Sequence, residues 1–284
     1  IGRGIAEVFA KQGANVLFTY SSSSDLAKEI EDNLSKENVI VKGYKSDASN
    51  FDDCQKLVDL ITEEFEAIDI LINNAGILRD RMLFSMSEDD WDSIMSVHLK
   101  GTFGPTHHAA VYWRNKAKAG EDTYGRVINT SSPSGIYGNI GQSNYGAAKA
   151  GIAAFTVITA MELAKYNVTV NALVPAALSR MTAGLVGMDN LSDEQKEAMS
   201  PRWQAVTATW LCSEEAKNVT GRCFDVRGNQ IGISEGWVLG PTGTQPEDPQ
   251  DLGTLMTELM SKARLNANMG GKPSGGTGRP ENEI

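Results

Sequence analysis

Tyr145 and Lys149 are the two residues of this sequence whose types and spacing most clearly predict chemistry. They lie four positions apart, which places both side chains on one face of a helix. An ammonium group beside a phenol stabilises the phenolate, so a tyrosine that ordinarily ionises near pH ~10 becomes usable as a general acid and base near neutrality. The pair therefore predicts a proton-transfer site on a helix.

A serine upstream completes a constellation with this pair. Ser132 lies thirteen residues before Tyr145, at the end of the apolar run 126–132, which is typical of a buried strand. Its hydroxyl can donate a hydrogen bond to the same substrate oxygen that Tyr145 protonates, and its neighbour Ser131 competes for that role. Such a site is equipped to reduce a carbonyl or to oxidise a secondary alcohol.

A second motif precedes both serines. Residues 69–76 are a short apolar strand that breaks into Asn73-Asn74-Ala75-Gly76, where small residues let a cofactor approach the backbone closely. The order of the motifs (strand, Asn-Asn-Ala-Gly, a strand ending in serine, Tyr-x-x-x-Lys) resembles that of the short-chain dehydrogenase/reductase family. Each motif alone is weakly specific for the family, whereas the whole set in this order is highly specific.

The resemblance implies an oxidoreductase that moves hydride between a nicotinamide cofactor and a carbonyl or secondary alcohol. It implies that Tyr145 is the acid/base, that Lys149 lowers the pKa of Tyr145 and binds the nicotinamide ribose, and that Ser132 binds the substrate oxygen. Asp47 matches a position that accepts from the adenine amine, or is a plain loop carboxylate. The residues placed at the cofactor are Gly2, Tyr20, Ser21, Asp47, Asn73, Asn74, Ala75, Gly76, Lys149 and Thr182.

His98 departs from the usual family pattern, which has asparagine there. A histidine can still hold a proton relay near the lysine, or it is a structural core residue. The chain is similar to the hydroxyacyl-CoA dehydrogenase part of peroxisomal multifunctional enzyme type 2, both in this histidine and in residues 76–82, 97–101 and 134–145. This resemblance runs from residue 1 to about residue 240.

That branch makes a 3-oxoacyl or 3-hydroxyacyl thioester the leading substrate class, followed by a hydroxysteroid. Residues 181–199 are expected to form a substrate lid, or to pack on the core, with a capping box at Ser192 and Gln195 that opens a helix. The competing hypothesis is a non-catalytic binding or scaffold protein of the same fold, because most of a phosphate-binding turn is absent from the sequence.

Cofactor choice is predicted from the end of the second family strand. An acidic residue that binds the ribose 2′-hydroxyl of NAD is expected there, but the chain has Tyr20 followed by four serines, starting at Ser21. Without a carboxylate to repel a 2′-phosphate, NADP(H) is preferred and NAD(H) is possible. Arg3 either helps to hold phosphate or is a cation on a helix surface.

Strand-like and helix-like segments alternate along the chain, which predicts an α/β fold. We expect a Rossmann-like, doubly wound parallel sheet in a three-layer α/β/α arrangement. Strands are expected near residues 15–19, 39–44, 68–72, 127–129 and 168–173. Helices are expected over residues 1–10, 25–36, 51–65, 88–98 and 143–165. The family would have a first strand and a glycine turn before residue 2, so we expect these to be missing from this chain.

The domain organisation is expected to comprise three parts. Residues 1–240 form the dehydrogenase domain, residues 241–265 a C-terminal extension with a helix, and residues 266–284 a disordered tail rich in Gly, Pro and Asn. The family pairs the helix that bears Tyr145 with the one starting at Glu88 across a dimer interface, so a homodimer or homotetramer is expected.

Charge and composition exclude several other classes of function. The net charge of −10 disfavours nucleic acid, and no apolar run approaches the ~18 residues of a membrane span. The three cysteines and three histidines show neither metal nor disulfide spacing, so no metal is expected. Reduced cysteines and an ending without a peroxisomal address favour a cytoplasmic location.

Overall fold

The computed structural model describes residues 1–35, 38–178 and 192–274. The strands are β1 (Val16–Tyr20), β2 (Val41–Lys45), β3 (Ile70–Asn73), β4 (Gly125–Thr130), β5 (Val168–Ala176), β6 (Cys223–Arg227) and β7 (Gln230–Ser234). The helices are α1 (Gly2–Lys11), α2 (Ser24–Leu34), α3 (Phe51–Phe65), α4 (Glu88–Ile94), α5 (Gly101–Lys118), α6 (Pro133–Tyr137), α7 (Ser143–Leu163), α8 (Asp193–Ala198), α9 (Arg202–Leu211) and α10 (Leu252–Lys262). Every strand predicted from the sequence is present, with boundaries shifted by up to three residues.

The strands form two sheets rather than the single sheet expected. β1 and β2 pair in parallel, and β3, β4, β5, β6 and β7 form a second sheet in that order. The second sheet is parallel except at its edge, where β7 runs antiparallel to β6 because a tight hairpin joins them. The predicted Rossmann-like fold, with a parallel sheet between layers of helices, is confirmed, and β7 adds an antiparallel edge strand.

The core lies on both faces of the larger sheet. Neighbouring residues of β4 face opposite sides, as the alternation of a strand requires. Ile128 joins a cluster with Phe9 of α1 and Leu211 of α9, whereas Val127 joins Trp113 of α5 in a second cluster. Because β4 is buried along its whole length, it carries apolar residues on both faces, and the layers are helix, sheet and helix.

The segment that carries His98 is an irregular helix. α4 begins with a capping box between Ser87 and Asp90, and it continues into a π-helical turn, Met95–Lys100, before α5. A π turn inserts one extra residue per turn and is commonly found at functional sites. Here it places His98 inside the protein, with 1% of its surface exposed.

The C-terminal part contains the predicted helix α10 and one feature that differs from expectation. Where we expected disorder from residue 266, residues 266–274 form a turn with a bridge between Ala267 and Pro273. A β-carbon on Gly271 would lie 3.2 Å from the hydroxyl of Tyr137, so this turn packs against the end of α6. Residues 275–284 lie outside the described part of the chain.

α7 together with the turn that follows it, Ser143–Tyr166, is long and apolar enough by length and composition to cross a membrane. The same composition is found in core helices of folded proteins, and α7 packs on β5 with Ala148, Ile152 and Ala160 buried. The sequence expectation had discounted this segment because polar residues interrupt it.

Candidate active site

The two serines at the end of β4 have different roles. The Ser131 hydroxyl donates to the backbone carbonyl of Lys149 at 2.8 Å and is buried, so it ties β4 to α7. Ser132 is the N-cap of α6, and its hydroxyl oxygen accepts from the backbone amide of Ser134 at 3.2 Å. A hydroxyl that accepts one bond still has its own proton to donate. Of the two serines, Ser132 is the one available to a substrate oxygen.

Lys149 is buried beneath this serine, with 3% of its surface exposed. Its ammonium nitrogen donates to the backbone carbonyl of Thr130 at 2.6 Å. Burial lowers the pKa of Lys149 to about 7, because a charge costs more free energy away from water. Burial therefore favours the neutral amine of Lys149 more than water would.

Tyr145 lies one helical turn before Lys149, as predicted. The Lys149 nitrogen is 5.6 Å from the centre of the Tyr145 ring. Burial raises the pKa of Tyr145, a hydrogen bond with Ser132 lowers it, and the charge of Asp80 raises it further. The net direction is upward and Lys149 is not among its causes in the structure, so a lowering of this pKa by Lys149 stays a prediction. The ammonium is instead engaged by the Thr130 carbonyl.

His98 packs against this pair from the π turn. Its ring meets that of Tyr145 edge to face at 5.1 Å, and its Nε2 lies 2.8 Å from the carbonyl oxygen of Ile77. Nδ1 is buried with no hydrogen-bond partner among the described residues. Burial, with a smaller contribution from the charge of Lys149, lowers the pKa of His98 to about 4, so the ring is neutral at physiological pH.

Two glycines allow these groups to approach one another. A β-carbon on Gly135 of α6 would lie 2.6 Å from the β-carbon of Lys149, so α6 and α7 pack at the closest distance that backbones permit. A β-carbon on Gly76 would lie 2.5 Å from Cε1 of His98. We had expected Gly76 to admit the cofactor, whereas in the structure it makes room for the histidine.

The Asn73-Asn74 pair is divided between the core and the cleft. The Asn73 amide donates to Thr106 and to Asn129, each at 2.9 Å, and only 8% of the residue is exposed. Its expected place in the cofactor cleft is therefore wrong. The side chain of Asn74 packs against the first residue of α1: a β-carbon on Gly2 would lie 2.8 Å from the side-chain amide nitrogen of Asn74.

The remaining predicted cofactor residues lie at the ends of β1 and β2. Tyr20 is the last residue of β1 and pairs with Lys45 of β2, and both Lys45 and Ser21 are exposed. Asp47 is exposed, and one of its carboxylate oxygens accepts from the amide and the hydroxyl of Ser49. Ala75 is exposed beside the cleft.

Arg3 and Thr182 complete the set of candidates. The Arg3 guanidinium pairs with Glu7 at 2.8 Å and with Glu29 at 3.1 Å, which identifies it as a cation of the helix surface. Thr182, with the rest of 179–191 and so most of the expected lid, lies outside the described residues. The capping box predicted at Ser192 is present and opens α8.

The ends of these strands fit a dinucleotide. β1 and β2 run in parallel, as do β3 and β4, so the two strands of each pair end at one edge, which is where parallel α/β sheets bind ligands. The start of α1 opens there with two glycines, Gly2 and Gly4, and helix N-termini favour anions such as a pyrophosphate. Of the residues present, Lys149, Asn74, Tyr20 and Ser21 can contact such a cofactor.

Sequence reasoning missed a polar network beside Tyr145. The Gln142 amide nitrogen donates to the Asp80 carboxylate at 2.9 Å, while its carbonyl oxygen accepts from the Ser134 hydroxyl at 2.7 Å and from Asn139 at 3.0 Å. The other carboxylate oxygen of Asp80 is buried without a partner in the described chain. Asp80 and Gln142 are far apart in sequence and carry no periodic pattern, so nothing in the sequence joined them.

Comparison with known proteins agrees with this geometry. The family model for short chain dehydrogenases matches residues 1–187. Hydroxyacyl-CoA dehydrogenase ChsB1 of Mycobacterium tuberculosis is 38% identical over 238 residues, which cover 81% of this chain and 75% of that protein. Peroxisomal multifunctional enzyme type 2 of Drosophila melanogaster is 37% identical over 94% of this chain, which spans 45% of the length of that protein.

A solved structure is similar over most of its length. The crystal structure of a short chain dehydrogenase from Mycobacterium avium superposes with a TM-score of 0.84 at 38% sequence identity. The match covers 94% of this chain and 92% of that one. The fold is therefore shared with a solved short chain dehydrogenase.

Proposed function

Because the chain belongs to the short-chain dehydrogenase family, whose members are NAD(P)-dependent oxidoreductases acting on CH–OH groups, we propose that it interconverts a 3-oxoacyl and a 3-hydroxyacyl thioester. The observation that carries the proposal is the convergence of Ser132, Tyr145 and the buried Lys149 at the end of β4. A hydroxysteroid is the second substrate class.

Each side chain has a defined task in this proposal. Ser132 donates a hydrogen bond to the substrate oxygen, and Tyr145 transfers the proton to that oxygen or takes it away. The raised pKa of Tyr145 keeps the phenol protonated at neutral pH, which is the form that a carbonyl reduction consumes. A bound nicotinamide supplies or accepts the hydride, and Lys149 binds its ribose.

His98 is proposed to relay protons to this site. Its Nε2 lies between the backbone amide (3.1 Å) and the carbonyl (2.8 Å) of Ile77, its buried Nδ1 has no partner in the described part of the chain, and the tautomer decides which nitrogen accepts a proton. The charge of Lys149 contributes to the lowered pKa of the ring, and His98 and Lys149 both lie beside the Tyr145 ring. This arrangement supports the relay over a purely structural role.

The surface beside the site supports an acyl substrate. The Arg81 amide bonds to the Gly141 carbonyl at 2.9 Å and so joins two loops at the mouth of the site. Exposed apolar side chains flank this junction: 71% of Leu83, 86% of Phe84 and 86% of Ile140 are accessible. Such side chains suit an acyl chain better than a small polar substrate.

The decisive experiment compares the protein with its Tyr145→Phe variant. Turnover of 3-oxoacyl-CoA and a panel of hydroxysteroids would be followed by nicotinamide absorbance, and cofactor binding by nicotinamide fluorescence. We expect the variant to lose turnover by roughly a hundredfold or more while it still binds cofactor. Unchanged turnover would reject the assignment of Tyr145. A protein that binds neither cofactor would favour the scaffold hypothesis.

NADP(H) is proposed as the preferred cofactor. Tyr20 and Ser21 occupy the end of β1 without a carboxylate, and the exposed Lys45 is paired directly with Tyr20, so a cation lies near the position of a 2′-phosphate. Ser21→Asp is expected to weaken NADPH binding by about tenfold or more and to spare NADH. Equal loss for both cofactors would contradict this assignment.

A homodimer or homotetramer in the cytoplasm is also proposed. Five apolar side chains on α5 and α7 are more than a third exposed, which favours a partner surface of the same chain. They are Phe103, Val111, Val157, Ile158 and Met161. Light scattering after gel filtration measures the oligomeric state, and cell fractionation measures the location.

A further inference from the structure

The side chain of Gln142 connects three segments of the active site. Gln142 is the residue that precedes α7, and α7 carries Tyr145 one turn later. Its carbonyl oxygen accepts from Ser134, whose backbone amide in turn holds the Ser132 hydroxyl. Its amide nitrogen donates to Asp80 on the loop after β3. One amide group therefore fixes the distance between the two residues that bind the substrate oxygen.

The Gln142 side chain is one of several contacts that hold the loop between α6 and α7. Gly138 and Gly141 lie in the left-handed region, at φ of 82° and 81°, so the backbone between α6 and α7 is intrinsically free. A second contact supports the same junction, because the buried amide of Asn144 donates to the backbone carbonyls of Arg79 and Asp90. Residues 79–80 thus brace the start of α7 from the side opposite α6.

We propose that Asp80 is a positioning residue for the Ser132–Tyr145 pair: through Gln142 its carboxylate holds the start of α7 against α6. We call this contact the Asp80–Gln142 brace. It rests on the proposed function, since positioning matters only if Ser132 and Tyr145 bind a reacting oxygen. No comparison reported above assigns a role to either residue.

The charge of Asp80 is unbalanced in the site. No Lys or Arg nitrogen lies within 4 Å of its carboxylate in the described part of the chain, and one oxygen has no partner at all. The groups that face Tyr145 are Lys149 on its own helix, His98 from the π turn, Ser132 from the start of α6, and Asp80. Asp80 raises the pKa of Tyr145 and so keeps the phenol protonated.

The experiment separates the charge of Asp80 from its hydrogen bond. Asp80→Asn removes the charge and keeps an acceptor for Gln142, whereas Gln142→Ala keeps the charge and removes the link. Asp89→Asn, on an exposed face of α4, is the matched control. The first readout is NMR of ¹³C-labelled tyrosine, in which the Tyr145 signal is identified by its loss in Tyr145→Phe and then titrated with pH.

The expected result is specific to each variant. Asp80→Asn lowers the Tyr145 titration midpoint by roughly half a pH unit or more, while Asp89→Asn leaves it in place. Asp80→Ala and Gln142→Ala, which both break this hydrogen bond, each lower kcat by roughly tenfold with little change in KM, because misplacement affects the transition state more than binding. Their double variant loses no more than Gln142→Ala alone, because both act through one contact.

Three results would overturn the proposal. A Tyr145 midpoint that is the same in Asp80→Asn and Asp89→Asn removes the electrostatic role. Losses in kcat that multiply in the double variant remove the brace. If Asp80→Asn fails to fold, Asp80→Glu retains the charge and must keep the Tyr145 midpoint of the wild type. A wild type without NAD(P)-dependent turnover refutes the proposed function instead, and the NMR titration still decides whether Asp80 acts on Tyr145.

Discussion

His98 should make the protein unstable in mild acid. The pKa of this ring is lowered from 6.5 to about 4 because it is buried, so between these values the unfolded chain binds a proton that the native protein does not. Stability then falls as the pH drops through this window and is fully present above pH ~6.5. A pKa difference of one unit corresponds to about 1.4 kcal/mol. The free energy of unfolding is therefore expected to fall by about 2.5 kcal/mol between pH 7.5 and 4.5 because of His98.

Urea unfolding at a series of pH values tests this prediction, with His98→Asn as the perturbation. Asparagine does not titrate, so the variant should lose about 2.5 kcal/mol less than the wild type between pH 7.5 and 4.5. His107→Asn, at an exposed position of α5, is the control and should follow the wild type. Parallel pH curves for wild type and His98→Asn would refute the reasoning, because they would mean that the native ring is protonated in acid.

Three further substitutions test the packing, the burial and the exposed face. Gly135→Ala should lower the free energy of unfolding by about 1–3 kcal/mol and remove most of the activity, because its methyl group would lie 2.6 Å from Lys149. Gly253→Ala, which places its methyl group in open space, is the control and should change little. Calorimetry and turnover measure the two effects. Lys149→Met should abolish turnover. It should also raise the free energy of unfolding at pH ~7 by about 1–3 kcal/mol, because a buried amine that is costly to charge is replaced by an apolar side chain. A lower free energy of unfolding in this variant would contradict the second expectation. Met161→Glu, at a residue 77% exposed on α7, should shift light scattering toward the monomer, and an unchanged mass would exclude α7 from the interface.

The chemical pair was predictable because a helix imposes a strict local rule. Tyr145 and Lys149 had to share a face once a helix covered both, and Ser132 had to stand at a strand end because the apolar run stops there. The choice between Ser131 and Ser132 was different. It rested on the family spacing to Tyr145, which only Ser132 has, and the structure adds a contact that spacing does not show, because the Ser131 hydroxyl donates to the Lys149 carbonyl.

The residues that sequence reasoning misplaced act across long separations. Asn73 was expected in the cleft because its motif lies at a strand end, yet its amide links Thr106 and Asn129 inside the core. Asp80 and Gln142 are polar loop residues with no periodicity, and only the folded chain shows that they touch. Tertiary contacts of this kind have no local signal, because any loop carboxylate or amide has the same appearance in sequence.

The helices and strands were predicted from the sequence where local patterns determine them, as for the residues of the site. Strands β1–β5 and helix α3 follow from apolar periodicity, whereas α9 and the β6–β7 hairpin were not predicted. α9 mixes buried polar residues such as Gln204 with apolar ones, and Gln204 donates to the carbonyl of Val226. A buried polar residue breaks the pattern that identifies a helix face, so its partner in β6 had to be known first.

Burial acts in one direction on the three titratable groups of this site. It lowers the pKa of His98 and of Lys149 and raises that of Tyr145, so each group is driven toward its neutral form. When the groups are neutral, the transferable proton is on the Tyr145 phenol. Ser132 and Asp80 act on the phenolate in opposite directions, since the hydrogen bond with Ser132 lowers the pKa of Tyr145 and the charge of Asp80 raises it. In the proposed relay, Lys149 would replace the proton that Tyr145 gives up, with His98 behind it. The same burial that costs the fold stability therefore prepares the order of proton transfer.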